Sequence, residues 1–161
     1  DGQPYSSSDM AENFERNHDK ILEAKCFFES LENEFEDFYI EFREKQIYIL
    51  KYWDGANHYT HREIQLDSAV KVLNWNKDIL LHLRDKLTEA NTISIERAST
   101  TIVGWKRSGM GMYYYEFLNT NLPFASFVFI NESCDQIFYK DNIVFRYAGG
   151  AIGPQCFMEY N

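Results

Sequence analysis

Around residue 37 the spacing of apolar residues switches from helical to strand-like, and beyond residue 92 it stays strand-like. That segregation constrains the fold more than any other feature, because helices and strands that occupy separate stretches of chain do not build the alternating βαβ units of a parallel sheet. Before the switch, Phe14, Ile21, Phe28 and Phe35 recur every seven residues, with Ala24 and Leu31 between them. This spacing predicts one helix from Asp9 to about Phe35 with a single apolar stripe. Ser8 or Asp9 is the expected N-cap, since a short side-chain oxygen accepts from the open N–H groups of the first turn. Glu12, Glu15, Glu23, Glu29, Glu32 and Glu34 occupy the other faces.

After the switch, Phe38, Ile40 and Phe42 alternate with Tyr39, Glu41 and Arg43, and Gln46–Trp53 returns across Glu44-Lys45. The pattern is that of a hairpin turned at Glu44-Lys45 and ended by Asp54-Gly55. A third extended segment spans about His58–Leu66. A second helix is expected over Asp78–Ala90, where Ile79, Leu80, Leu83 and Leu87 share a face, Asn76 caps the start and Asn91 the end. Asp67–Trp75 reads either as a short helix or as an extension of that one. Strands are then expected near Ile93–Glu96, Thr101–Arg107, Met112–Leu118, Ala125–Ile130, Gln136–Tyr139, Ile143–Tyr147 and Gln155–Tyr160. The fold class that follows is α+β: a curved antiparallel sheet of about 6–8 strands, with two helices packed on one face. Residues 1–8 read as a flexible N-terminal segment and 9–161 as a single domain.

The formal charge of −9, from 25 acidic and 16 basic residues, bears on partners. Nucleic-acid binding requires clustered cations to release phosphate counterions. The basic pair in Trp105-Lys106-Arg107 is too small a cluster, so nucleic acid is not an expected partner. A basic protein partner is compatible with the charge. No apolar run is long enough to span a membrane. The polar start Asp1-Gly2-Gln3-Pro4 suits a tether behind a removed signal or a lipid anchor, which leans the expected location outside the cytoplasm.

Cys26, Cys134 and Cys156 are widely spaced and form no C-x-x-C pair. The reading favours three buried or reduced thiols. If one bridge forms, Cys134–Cys156 is the pair indicated, since both lie in the strand-rich half.

Motifs for chemistry fail on inspection. Gly104-Trp105-Lys106-Arg107-Ser108-Gly109 has the glycine spacing of a phosphate loop but is followed by Met110 and Gly111 rather than Lys and Ser or Thr. His58 and His61, three apart on an extended segment, point to opposite faces and make no metal pair. Cys134, between Glu132 and Asp135, sits where acidic neighbours oppose a thiolate. No catalytic residue, metal ligand or cofactor is assigned, and the reading leans away from an enzyme.

Aromatic residues make up 17% of the chain and fall on both sides of several expected strands. Tyr113 and Tyr115 alternate with Tyr114; Trp53 ends a strand that also carries Tyr48 and Tyr52; Trp105 lies in another. Two-sided apolar strands need cover on both faces or leave an exposed patch. The bland reading closes the concave face with helices and covers the other with loops. The functional reading is a non-enzymatic binding module that docks a protein, in the manner of an immunity-type inhibitor or a surface-tethered adaptor. The alternative is a small-ligand binder or enzyme with an aromatic pocket in the curved sheet. Trp53, Trp105, Tyr113 and Tyr115 are the candidate contact residues, with Gly149 and Gly150 of the glycine-rich loop at the rim.

Overall fold

The structure is a computed structural model that describes residues 4–32, 34–119, 130, 133–149 and 155–160. It is an α+β fold in which eight antiparallel strands form one open sheet and three helices lie on one of its faces.

The first helix, α1, spans Ser7–Ser30. Its cap is Ser6 rather than Ser8 or Asp9: the Ser6 hydroxyl accepts from the Asp9 N–H, and the Asp9 carboxylate accepts from the Ser6 N–H in return. This reciprocal pairing satisfies two groups that an uncapped first turn would leave open. The chain just before it is also packed. Tyr5 lies over Trp105 at 4.9 Å, and its N–H donates to the Tyr113 hydroxyl.

Two strands follow, β1 (Asp37–Arg43) and β2 (Gln46–Trp53), joined through Glu44 and Lys45. Both linking residues take positive φ, 48° and 66°. That is the turn whose twist matches a two-residue hairpin. β3 (His58–Arg62) pairs with β2 and forms one edge of the sheet. The ambiguous stretch beyond it is a separate helix, α2 (Leu66–Leu73). Asn74 ends α2 in the left-handed conformation, and Asn76 at once caps α3 (Lys77–Glu89) by accepting from the Asp78 N–H. Two asparagines two residues apart therefore split what the apolar pattern alone leaves continuous. Among the described residues the sheet is therefore packed by three α-helices where two were expected.

The remaining strands are β4 (Ser94–Arg97), β5 (Thr101–Ser108), β6 (Gly111–Phe117), β7 (Gln136–Lys140) and β8 (Ile143–Ala148). Their order across the sheet is β3-β2-β1-β4-β5-β6-β8-β7. The sheet thus joins the early hairpin to the late strands through β1 and β4, whose register sets Ile40 opposite Ile95 and Tyr39 opposite Glu96. Bulges at Glu41/Phe42 and Gly104/Lys106 interrupt the ladders. Such insertions bend a strand and increase its twist.

The strand expected at Ala125–Ile130 lies, apart from Ile130, outside the described residues. The strand expected at Gln155–Tyr160 is not formed. Phe157 instead buries its ring in the core and donates its N–H to the Cys134 carbonyl, and a 3-10 turn follows at Met158–Tyr160. The expectation of three reduced thiols is also corrected: Cys134 and Cys156 form a disulfide, and Cys26 is free and exposed. The bridge spans a sequence separation of 22. Closing a loop of that length contributes about 3 kcal/mol on a chain-entropy account.

The core lies between the helices and one face of the sheet. Phe14, Ile21 and Phe28 of α1 and Leu80, Leu83 and Leu87 of α3 meet Phe38, Ile40, Leu50, Ile95, Val103, Tyr115 and Phe145. Each such side chain contributes about 2 kcal/mol on burial. Asn13, on the inward side of α1, donates to the Tyr115 hydroxyl, which donates onward to the Met10 carbonyl.

Candidate functional site

Alternation along the strands sends the next residues to the opposite face. Register places Tyr39, Lys51 and Glu96 side by side across β1, β2 and β4. Glu41 stands opposite Ile49 and Ser94, Ser94 opposite Gly104, and Gly104 opposite Tyr114. At the far end Arg107 stands opposite Met112, and Met112 opposite Ala148. All of these but Glu41, Ser94 and Gly104 line a hollow of about 560 Å³, which Arg43, Tyr48, Arg62 and Met110 also line. The volume lies within the ~300–1,000 Å³ of ligand pockets.

The floor rests on a buried ion pair. Glu41 is 1% exposed. Arg107 donates to it through Nε and Nη2, both at 2.6 Å, and the Tyr39 hydroxyl donates to its second oxygen at 2.8 Å. A two-pronged guanidinium–carboxylate contact fixes orientation as well as charge. The Glu41 hydrogen bond also raises the Arg107 pKa further above its ordinary value. Burial, reinforced by Tyr114 and Glu41, drives the Tyr39 phenol far above its ordinary range. Burial pushes Tyr114 up to about 12, with Glu96 adding to the shift. Both tyrosines therefore stay protonated at neutral pH. Burial also raises Glu96, against the opposing pull of Lys51 and Arg146.

Gly104 makes the floor possible. A Cβ at that position would stand 1.9 Å from the Ser94 hydroxyl oxygen. Ser94 itself is 1% exposed, and its hydroxyl has no hydrogen-bond partner among the described residues.

Around this floor Arg43 and Lys51 meet rings, whereas several cations on the helices meet carboxylates. On the helices Arg16, Lys20, Lys25, Lys77 and Arg84 each meet a carboxylate. In the hollow, Arg43 lies over the Tyr48 ring at 3.7 Å and Lys51 over Tyr39 at 5.6 Å. Neither these two nor Arg62 has an ion pair among the described residues. Three cations without an ion pair among the described residues thus share one lined surface.

The residues singled out by sequence fall elsewhere. Tyr113 and Tyr115 are 0% exposed and belong to the core, not to the lining of the hollow. Trp105 is buried with Tyr5 and Tyr113. Trp53 lies apart at the end of β2, half-buried and stacked on His58. Gly149 is buried and follows Ala148, which lines the hollow, whereas Gly150 lies outside the described residues. The structure brings Trp105 and Tyr113 together but joins neither to Trp53. The reason is parity: Tyr114, between two core tyrosines, is the one that turns to the hollow. A charged Glu41 between Ile40 and Phe42 was the sequence signal for this face, yet its partner lies 66 residues away.

His58 and His61 sit on opposite faces of β3, one stacked on Trp53 and the other within 3.3 Å of the Tyr52 hydroxyl. Among the described residues no group of three or more His, Cys, Asp or Glu side chains is placed to hold a metal ion. Among them, too, no helix is long and apolar enough to cross a membrane. No known protein family matches the chain, and no curated protein or solved structure matches it.

Proposed function

We propose that this protein is a binding protein whose ligand site is the hollow on the open face of the sheet. The observation that carries the reading is the combination of a cavity of about 560 Å³ with a tyrosine floor and converging charged groups. A flat tyrosine face would favour a protein partner, whereas a lined hollow favours a small ligand. Binding is preferred to catalysis because the lining is aromatic and cationic, with Glu96 its single carboxyl and no serine or cysteine among the described lining residues. The Cys134–Cys156 disulfide supports an oxidising compartment as the place where the protein works.

A fragment screen read by amide chemical shifts tests the reading. Binding fragments are expected to shift the amides of Lys51, Arg62, Gly109 and Tyr114, and the Lys51→Glu/Arg62→Glu variant is expected to lose them. Fragments that shift only amides remote from the hollow would sink the proposal, as would a screen with no binders.

A further inference from the structure

The hollow is polarised along its length. The antiparallel register gathers Arg43, Tyr48, Arg62 and Arg107 at the end where β1 leaves the sheet and β2 enters it. Tyr39, Lys51, Glu96 and Tyr114 lie toward the other end. At the first end two guanidinium groups share one ring, with Arg43 at 3.7 Å and Arg107 at 5.8 Å from the Tyr48 centroid.

Arg107 is not free to swing. Glu41 holds its Nε and Nη2, which leaves Nη1 and its hydrogens without an acceptor among the described residues. The Arg107 side chain is 25% exposed, while Glu41 beneath it is buried. A guanidinium anchored on one edge and open on another is pre-ordered for an incoming oxyanion, so little side-chain entropy is lost on binding. Arg43 and Arg62, both exposed, add charge at the same end. The rings of Tyr39, Tyr48 and Tyr114 provide flat apolar surface beyond it.

We infer that the hollow takes a small organic anion, with its carboxylate at Arg43 and Arg107 and an unsaturated or aromatic body over the tyrosines. This deepens the proposed function and rests on the hollow being a binding site. A carboxylate is preferred to a phosphate because Glu96 shares the hollow and repels a second negative charge more than a first.

Titration calorimetry on the full chain tests the assignment with three probes of one shape: 2-naphthoate, 2-naphthalenemethanol and 2-naphthyl phosphate. 2-Naphthoate is expected to bind about tenfold or more tightly than the neutral alcohol, as charge-assisted hydrogen bonds require. Arg43→Gln is expected to weaken naphthoate by about tenfold and leave the alcohol unchanged. Arg43 is exposed, so the variant should keep the fold, and circular dichroism checks that. Equal binding of acid and alcohol would overturn the anion assignment while leaving the hollow a binding site. Tenfold tighter binding of the phosphate would replace the carboxylate with a phosphate. Failure of all three probes, joined to a fragment screen without binders, would remove the binding site and this inference together.

Discussion

The two faces of this sheet use the same residue type for opposite ends. On the helix-covered face Tyr113 stacks on Tyr147 at 4.2 Å, Tyr139 on Phe145 at 4.5 Å, and Tyr115 meets Phe14 at 5.4 Å. The Tyr115 hydroxyl is absorbed by Asn13 and the Met10 carbonyl. On the open face Tyr39 and Tyr114 surround a buried carboxylate–guanidinium pair, with unpaired cations at the margin. What separates them is the fate of the polar atoms. Beneath the helices the Tyr113 and Tyr115 hydroxyls find neutral neighbours, and Tyr139, at the exposed margin, donates to the Glu15 carboxylate. In the hollow the hydroxyls and charges form a network, and a network of that kind specifies a shape more than it stabilises a fold.

Substitutions on either face separate the two roles. Tyr115→Ala is expected to have the largest effect, a loss of about 3–5 kcal/mol in urea unfolding, because it opens a cavity and strands Asn13. A loss below about 1 kcal/mol would mean that the covered face is not the core. Arg107→Met comes next, at about 3 kcal/mol, since it leaves Glu41 buried without its partner. The double variant Glu41→Leu/Arg107→Leu should recover most of that loss, and a double variant no more stable than the single would show that the pair itself holds the fold.

Glu96→Gln should act in the other direction. Burial raises the folded pKa of Glu96 above its ordinary 4.5, so the folded protein holds this proton more tightly than the unfolded chain does. The ionised carboxyl therefore lowers stability as pH rises from 4.5 through the folded value, and below 4.5 it has no effect. Thermal melts should accordingly show a gain for Glu96→Gln at pH 7 that disappears near pH 4. An equal gain at both values would place its origin outside this titration. The smallest effect is expected for Arg43→Gln, within about 0.5 kcal/mol of the parent, because an exposed cation over one ring contributes little to folding. A larger loss would make Arg43 part of the scaffold, not of a recognition surface.

Local pattern was legible wherever one stretch of chain sufficed. The β1–β2 hairpin and the Asn76 cap depend on neighbours in sequence and formed as the pattern predicts; α1 formed too, but ends at Ser30 rather than near Phe35. The Ser6 cap and the break at Asn74 also used local chemistry, of a kind that several serines and asparagines could equally supply.

The strand pattern of the sequence determined an α+β chain with an antiparallel sheet. Only the tertiary structure decided which of Tyr113, Tyr114 and Tyr115 faces the hollow, that Glu41 meets Arg107, and that Cys134 meets Cys156. Side chains on both sides of these strands are apolar or aromatic, so alternation alone gives no sign of inside or outside. That sign is set when α1 and α3 settle on one face, and bulges in β1 and β5 then shift the register that joins residues far apart in the chain.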